Sequence, residues 1–228
     1  MKPKSLLAAA SVFCIIVTNL HGQKMVNGVL LNYAKASPDS VELNFKDLAY
    51  YLKIPAKSEK EIVETIFYWV AVNIDYVDPS YGIEYDVDSL ANFTLMTRKS
   101  GCEGTARLFK ELCIAAGIEC ELIFGYAQGF GFDSKKVKRP NHSWNAVIID
   151  GKPILVDATW GGGGATTQNG QLVHVKELDM RYLFSDPKNF NIDHLPEDPK
   201  WQLLDDPISK NEFYSDEWDL KRMGWLGW

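Results

Sequence analysis

The sequence predicts an α+β fold in which a helix that carries a cysteine packs on an antiparallel sheet. Apolar residues recur at helical spacing over Cys102–Ala116, and Gly117 stands where a left-handed helix cap is common. Runs typical of strands then follow at Glu119–Tyr126, Ser143–Ile149 and Ile154–Ala158. Asp150-Gly151 is a typical two-residue hairpin turn between the last two runs.

Two helices are predicted upstream of this unit. Ser58–Asn73 begins with a capping box, in which Ser58 is the N-cap and Glu61 follows three residues later, and it continues with apolar residues at helical spacing. Lys46–Leu52 is a shorter helix. We expect it to stop at Ile54-Pro55, because the residue before a proline disfavours the α region.

The remaining segments have no sustained periodicity. Residues 74–97 include Pro79 and Gly82 and are predicted to form a long loop, a kind of segment that often carries function. The glycine run 161–164 is predicted to be a flexible turn, since it lacks the context of a phosphate-binding loop. The last part of the chain is expected to wrap the domain with loops and aromatic residues, among them Trp201, Phe213, Trp218 and Trp225.

Length and charge limit the possible classes of protein. The chain has 228 residues, which fits one domain with a sizeable core. Its formal net charge is -6 and its sequence pI is about 5.3, and it has no long cluster of lysine and arginine. We therefore expect no nucleic-acid partner.

The N-terminus has the pattern of a secretory signal peptide. Residues 1–4 carry two lysines, residues 6–17 are mostly apolar, and a polar stretch follows, with cleavage expected after Gly22. The predicted organisation is a signal peptide at 1–22 and a single domain at 23–228, in a secreted or periplasmic protein. The apolar run is shorter than the roughly 20 residues that span a bilayer, so no integral membrane span is expected after cleavage. Cys14 leaves lipid attachment and membrane association open.

Cysteine usage points to one reactive thiol. Cleavage would leave Cys102, Cys113 and Cys120, an odd number for an oxidising compartment. Cys113 and Cys120 could form a disulfide, or Cys113 could be a buried helix residue, and both interpretations stay open. Cys102 is the candidate nucleophile, because a helix N-terminus favours the thiolate and Gly101 leaves the thiol approachable. The alternative is that Cys102 is a small buried apolar residue.

His142 is the candidate base, at the start of a strand. With a two-residue turn at Asp150-Gly151, Trp144 faces Asp157 and His142 lies diagonal to Asp157 on the same face. Asp157 would then orient the imidazole through a hydrogen bond. A three-residue loop would put the two on opposite faces, and either residue could instead be an ordinary strand-end or turn residue.

Cysteine, histidine and aspartate in this order support acyl transfer. The thiolate attacks an amide carbonyl, the imidazolium protonates the leaving amine, and water or another amine resolves the thioester. The backbone N–H of Cys102 is one candidate oxyanion-hole donor, and the sequence does not identify the second. Trp69 and Trp144 are predicted to be core aromatics. The histidines and cysteines have no paired zinc-ligand spacing, so we expect no metal.

Three ordered motifs closely resemble the transglutaminase-like superfamily. They are Gly101–Ala106 (GCEGTA), Asn141–Asn145 (NHSWN) and Val156–Gly161 (VDATWG). Within this superfamily the chain is similar to the kyphoscoliosis peptidase and cytokinesis-associated branch, which has comparable flanking segments. In this chain those segments are Ile66–Val70, Asn73–Tyr76, Phe184–Pro187, His194–Pro196 and Trp201–Leu204. The resemblance spans residues 30–214.

The resemblance implies a papain-like α+β domain. The catalytic positions of the family fall on Cys102, His142 and Asp157. His174 and His194 match no catalytic position, which implies structural roles. Thr105 stands where the family usually has an aromatic residue, a departure that is expected to reshape the site near the thiol. The chemistry needs no cofactor, and although calcium activates some distant transglutaminases, this sequence has no EF-hand-like acidic loop.

Several functions are compatible with this interpretation. The first is a peptidase that acts on peptide amide bonds, with a transamidase that crosslinks proteins as its close alternative. The second is a binding or assembly module that keeps the fold without turnover. The third, suggested by the predicted compartment, is an amidase directed at peptidoglycan. The expected partner is therefore a protein or peptide substrate, with cell-wall peptide among the candidates.

Overall fold

The computed structural model describes residues 25–77, 89–129, 137–168 and 171–218. The helices in these ranges are α1 (Gly28–Lys35), α2 (Phe45–Lys53), α3 (Glu59–Asn73), α4 (Leu90–Thr97), α5 (Cys102–Ala116), α6 (Pro187–Phe190) and α7 (Lys210–Phe213). The strands are β1 (Asp75–Tyr76), β2 (Lys99–Ser100), β3 (Glu119–Ala127), β4 (His142–Ile149), β5 (Lys152–Val156), β6 (Gly164–Gln168), β7 (Gln171–Val175) and β8 (His194–Pro196).

The central sheet has the strand order β5-β4-β3-β8, and every neighbouring pair in it is antiparallel. β1 and β2 form a short parallel pair, and β6 and β7 form a separate antiparallel hairpin. α5 packs on β3 and β4 and also contacts α2, α3 and α4. The predicted α+β fold, with the cysteine-bearing helix on an antiparallel sheet, is confirmed.

The core lies on both faces of this sheet. On the helical side α3 is central, since every residue from Thr65 to Ala71 is buried. On the other side Trp144 packs with Tyr182 and Phe190 from the C-terminal part of the chain. Trp69 and Trp144 are 0% and 1% exposed, which confirms them as core aromatics.

The two predicted upstream helices are present, with differences at their ends. Ser58 caps α3 by accepting a hydrogen bond from the Glu61 N–H at 3.2 Å. The Glu61 carboxylate, however, accepts from the N–H of Lys57 at 2.7 Å, so the capping box closes one residue earlier than predicted. α2 ends at Lys53, yet Ile54 keeps right-handed helical dihedrals (φ -55, ψ -44). The helix therefore stops because Pro55 lacks an N–H, and the restriction on the preceding residue is not the cause.

The prediction of a loop over residues 74–97 is wrong at both described ends. Asp75–Tyr76 forms β1, and Leu90–Thr97 forms α4. α4 has two turns, contains two threonines and has no side-chain cap at its N-terminus, so its local signal is weak. Residues 78–88, the middle of the predicted loop, lie outside the described residues.

The β4–β5 hairpin has the predicted turn and register. Asp150 and Gly151 have φ values of 51° and 71°, as a type I′ turn requires. The ladder pairs Ile149 with Lys152 and Asn145 with Val156. Because β5 ends at Val156, Asp157 lies just beyond the ladder. The observed register puts it on the predicted face of the sheet, the one that it shares with Trp144 and His142.

The C-terminal part folds back onto the sheet edge. β8 pairs with β3, and Phe213 packs with Tyr126 and Leu195. The indole N–H of Trp218 donates to the Ile192 carbonyl at 3.0 Å. β8 lies in a segment for which no strand was predicted.

Two predictions concern residues outside the described ranges. These are the signal peptide at 1–22, with Cys14, and the position of Trp225. Across the ranges that the structure does describe, no helix combines the length and the apolar character needed to cross a membrane.

Candidate functional site

Cys102 is the first residue of α5, directly after the short strand β2. Gly101 is the N-cap of the helix with extended dihedrals (φ -77, ψ -174), so the chain enters α5 at a sharp angle. Cys102 is partly exposed as a residue, whereas the other two described cysteines are buried. The N–H groups of a first helical turn have no acceptor within the helix, so they and the helix dipole favour an anion at this point.

Gly104 brings the start of α5 close to its neighbours. A Cβ atom there would lie 1.9 Å from the Ser100 hydroxyl oxygen and 2.5 Å from that of Thr94. Only a glycine permits this approach, which fixes the position of the Cys102 backbone relative to α4 and β2.

His142 opens β4 and pairs with Gly125 of β3. The preceding Asn141 extends the ladder with its side chain, which accepts from the Ala127 N–H at 2.9 Å and donates to the Ala127 carbonyl at 3.0 Å. His142 is 7% exposed. Its backbone is therefore held from two sides, and the ring points into a nearly closed space.

Asp157 follows the end of β5 and is completely buried. Its Oδ1 accepts hydrogen bonds from the N–H groups of Thr159 (2.8 Å) and Trp160 (3.1 Å). Its Oδ2 lies 2.6 Å from Nε2 of His142. These donors satisfy a buried carboxylate that would otherwise be costly to keep charged.

The ionisation of the three groups is coupled. Burial by itself would raise the pKa of the Cys102 thiol, but the charge and hydrogen bond of His142 bring that pKa below its ordinary value, and the N–H of Ser143 adds to the effect. Burial opposes the His142 cation, yet the charges of Asp157 and Cys102 raise the pKa of His142 to about 10. Burial likewise disfavours ionised Asp157, and His142 holds the pKa of that carboxyl far below its usual range. The favoured state is a thiolate-imidazolium pair backed by a carboxylate.

The structure thus brings together all three residues singled out from the sequence. Nε2 of His142 is engaged by Asp157, so Nδ1 is the nitrogen left to bond the thiol. This division of the two ring nitrogens lets a proton pass between the sulfur and one nitrogen while the carboxylate holds the other.

His194 is part of the same network, which the sequence-based analysis did not anticipate. Its Nε2 lies 3.1 Å from Oδ2 of Asp157, and its Nδ1 lies 2.5 Å from Oδ1 of Asp193. The hydroxyl of Tyr182 donates to Oδ2 of Asp193 at 2.8 Å. His194 enters the site because β8 pairs with β3, a contact far apart in sequence for which no local signal exists.

Aromatic rings enclose both histidines. The ring centre of Trp160 lies 5.1 Å from that of His142 and 4.5 Å from that of His194. Trp144 lies 5.9 Å from His142, and Phe190 stacks on His194 at 4.2 Å. This apolar enclosure strengthens the hydrogen bonds and ion pairs inside it.

The thiol opens onto a groove of about 230 Å³. Its described lining includes Leu90, Glu103, Phe124 and Pro140 together with Cys102 and His142. Thr105 is not part of this lining, because its buried hydroxyl donates to the Gly101 carbonyl at 3.0 Å. The threonine therefore acts on the helix start and not on the described groove surface.

Cys113 and Cys120 are free thiols in the structure, and both are buried. Burial and a hydrogen bond to Cys120 raise the pKa of Cys113, which leaves it unreactive. Of the two interpretations left open by the sequence, the structure has the buried thiol. His174 lies elsewhere, with its ring 5.7 Å from that of Tyr76.

His142, Asp157 and His194 contact one another at hydrogen-bond distances. Their donor atoms lie within 4.8 Å of one another. The separations from the carboxylate oxygen to the two rings are 2.6 and 3.1 Å. Two ligands of a tetrahedral zinc ion lie about 3.3 Å apart, so the 2.6 Å separation is too short for two zinc ligands, whereas the 3.1 Å separation is close to that spacing.

Residues 46–158 match the family model described as the Transglutaminase-like superfamily. This range contains Cys102, His142 and Asp157 and all three motifs except the last residues of the third. The chain belongs to this superfamily, as its motifs predicted.

Curated relatives place the chain within the superfamily. It is 33% identical over 183 residues to Kyphoscoliosis peptidase of Mus musculus, a match that covers 79% of this chain and 27% of that protein. It is 30% identical over 190 residues to Lim and transglutaminase domain protein ltd-1 of Caenorhabditis elegans (75% and 25% covered) and 31% identical over 187 residues to Hillarin of Drosophila melanogaster (74% and 22% covered). The chain spans about a quarter of the length of these relatives.

Among solved structures, one described as a TGase aligns over 67% of this chain and 37% of its own, at 16% identity and a TM-score of 0.38.

Proposed function

We propose that the protein is a cysteine peptidase that cleaves peptide amide bonds by acyl transfer. One observation carries the proposal: a partly exposed cysteine at a helix start bonds a histidine whose other nitrogen lies 2.6 Å from a fully buried carboxylate. Cys102 is the nucleophile, His142 is the acid and base, and Asp157 orients His142. The relative in Mus musculus that carries peptidase in its name supports the same chemistry.

The reaction follows from the favoured charge state. The Cys102 thiolate attacks the amide carbonyl, and its backbone N–H, at the start of α5, is a donor to the developing oxyanion. His142 gives its Nδ1 proton to the leaving amine, and the thioester forms. His142, now neutral, takes a proton from water, which attacks the thioester carbonyl. The C–S bond breaks, the acyl group leaves as a carboxylic acid, and the thiolate-imidazolium pair is restored.

A transamidase would use the same acyl-enzyme but resolve it with an amine. The enzyme is therefore tested with both acyl acceptors, water and an amine. The purified protein is incubated with an unfolded protein substrate, with and without a fluorescent primary amine, and the products are mapped by mass spectrometry. We expect new N-termini that are absent with Cys102→Ala. Amine incorporation without cleavage would show that the protein is a transamidase and not a peptidase. If no substrate gave either product, a binding module would be favoured.

We further propose that the protein acts outside the cytoplasm, as a secreted or periplasmic enzyme with or without membrane association. The signal-peptide pattern at residues 1–22 supports this proposal. Mass spectrometry of the mature N-terminus tests it, with Gln23 expected as the first residue. A chain that retains Met1 and stays in the cytoplasm would contradict it. Purified cell wall incubated with wild type and with Cys102→Ala tests whether the substrate is a stem peptide.

A further inference from the structure

His194 lies between two buried carboxylates that both face its ring nitrogens. The separations are 3.1 Å from Nε2 to Asp157 and 2.5 Å from Nδ1 to Asp193. A neutral imidazole carries one N–H, so one of its nitrogens would direct a lone pair at a carboxylate oxygen. The ring donates to both carboxylates only when both of its nitrogens are protonated. This geometry favours the imidazolium form of His194.

The two carboxylates accept further hydrogen bonds from other groups. Asp157 also accepts from His142, Thr159 and Trp160, and Asp193 also accepts from the hydroxyl of Tyr182. Although burial opposes a cation, the charge of Asp193 and the hydrogen bonds of both carboxylates raise the pKa of His194. His194 thus adds a second ring to the buried Asp157–His142 pair.

Packing leaves the His194 ring one orientation. The ring is fully buried, stacks on Phe190 at 4.2 Å and meets the ring edges of Trp160 and Trp144 at 4.5 and 5.0 Å. Its backbone is paired with Ala127 of β3. A ring that cannot turn also fixes the positions of the carboxylates to which it is hydrogen-bonded.

We propose that His194 is a positioning residue of this site. By donating to the same Oδ2 atom that His142 bonds, it prevents the Asp157 carboxylate from rotating and so fixes the His142 ring toward the Cys102 thiol. The inference rests on the proposed function, because an orientation matters only if the Cys102–His142 pair reacts. The sequence predicted a structural role for His194, and the proposal adds the positioning of Asp157 to that role.

The groups that face His194 from the elements around it are few among the described residues. Asp157 follows β5, Asp193 precedes β8, and the ring of His142 on β4 lies 5.3 Å away. The ring of Tyr182 lies at 5.8 Å, and the charge of Arg181 acts on it. A pH profile that reports on His194 must therefore be read against Asp157, Asp193 and His142.

Two substitutions separate positioning from packing. In His194→Asn the amide nitrogen takes the place of Nδ1 and reaches Asp193 alone, whereas in His194→Gln it takes the place of Nε2 and reaches Asp157. Iodoacetamide labelling of Cys102 is followed by peptide mass spectrometry from pH 5 to pH 9, and thermal unfolding is recorded for both variants. The buried Cys113 and Cys120 are internal controls for unfolding.

We expect His194→Asn to label Cys102 about 10-fold more slowly than wild type at pH 6, the size of loss that follows removal of outer hydrogen-bond partners. His194→Gln is expected to keep most of the wild-type rate, while both variants lose thermal stability. Equal labelling in wild type and folded His194→Asn would overturn the inference. So would equal slowing in both variants.

A spectroscopic measurement covers the case in which neither variant folds. In ¹⁵N-resolved spectra of the wild-type histidine rings, both nitrogens of His194 are expected to be protonated at pH 7. His174, whose pKa is lowered by burial and by Lys176, is the neutral control. A singly protonated His194 would overturn the inference. An unreactive wild-type Cys102 beside an imidazolium His194 would instead count against the proposed function.

Discussion

Asp157 accepts hydrogen bonds on both carboxylate oxygens, from two backbone N–H groups on Oδ1 and from two histidine rings on Oδ2. Asparagine at this position keeps the Oδ1 acceptor but turns an N–H₂ group toward His142. The ring would then lose its proton on Nε2 and with it the charge that holds the thiolate. We expect Asp157→Asn to fold and to lower the rate of amide hydrolysis on the order of 10⁴-fold.

The loss is measured in two ways, as the rate of Cys102 labelling and as the rate of peptide cleavage. Asp150→Asn, on the exposed hairpin turn, is the matched control and should react like the wild type. Asp157→Asn with unchanged reactivity would show that the carboxylate does not orient His142.

The charge of His142 should make stability depend on pH. Its pKa in the folded chain is above the ordinary value of 6.5, so its contribution is fully present below about pH 6.5 and is lost as the pH rises toward 10. The pKa of Cys102 is lowered in the folded chain, so its contribution to the free energy of unfolding changes with pH in the opposite direction. Both proteins in the comparison therefore carry serine in place of Cys102.

We expect the free energy of unfolding of Cys102→Ser to fall as the pH rises above 6.5, and to fall more steeply than that of Cys102→Ser/His142→Gln. Urea denaturation at several pH values in this range measures both slopes. Parallel pH profiles would mean that His142 is not held as a cation.

The three candidate catalytic residues, Cys102, His142 and Asp157, could be predicted from the sequence because each lies at a recognisable helix start, strand start or hairpin end. His194 carried no such signal. Its role depends on the pairing of β8 with β3, and on the neighbouring Asp193, neither of which has a local pattern. A buried network can be inferred only once the strands are placed.

The start of α5 depends on close packing at Gly104. An added Cβ would meet the Ser100 and Thr94 hydroxyls at 1.9 and 2.5 Å, well inside contact distance. Alanine usually stabilises a helix interior by about 1 kcal/mol over glycine, but overpacking typically costs about 1–3 kcal/mol. We expect Gly104→Ala to lower the free energy of unfolding and to displace Cys102.

Gly28→Ala is the matched control, since a Cβ at Gly28 in α1 meets nothing within 4 Å. That variant should be as stable as the wild type or more so in urea denaturation. A Gly104→Ala protein of wild-type stability and thiol reactivity would contradict the close approach.

Elements with strong local patterns were predicted well. α3 and α5 have long apolar stripes and clear ends, and the Asp150-Gly151 turn fixes the β4–β5 register. The helix α4 was missed because two turns with threonines carry little propensity, and β1 and β8 were missed because strands of two or three residues exist only through their partners.

Over the whole molecule, the C-terminal part seals the edge of the sheet that carries His194. Phe213 is completely buried against Tyr126 and Leu195, and its carbonyl accepts from the Gln128 amide at 2.5 Å. We expect Phe213→Ala to destabilise the protein by about 3–5 kcal/mol and to speed amide exchange in β8.

Tyr50→Ala is the control for this change, because Tyr50 is 73% exposed and its loss should cost less than about 0.5 kcal/mol. Denaturation with hydrogen exchange by mass spectrometry compares the two. Unaltered exchange in β8 would mean that the strand is held without the Phe213 cluster.

The overall architecture was predictable because the cysteine helix and the hairpin after it form one continuous unit of the chain. The wrapping of the domain by the C-terminal part was predicted as well, but the sheet face that it covers was not, since Tyr182 and Phe190 reach Trp144 only through long-range packing. The same long-range packing delivers the second histidine to the site.

The proposed chemistry depends on a thiolate-imidazolium pair between Cys102 and His142. The pH dependence of iodoacetamide labelling of Cys102, compared between wild type and His142→Ala, measures this pair. We expect a thiol pKa in the wild type below the ordinary value of about 8.5 and a return toward that value in the variant. Slow labelling with an ordinary pKa that does not respond to His142→Ala would contradict the formation of this pair.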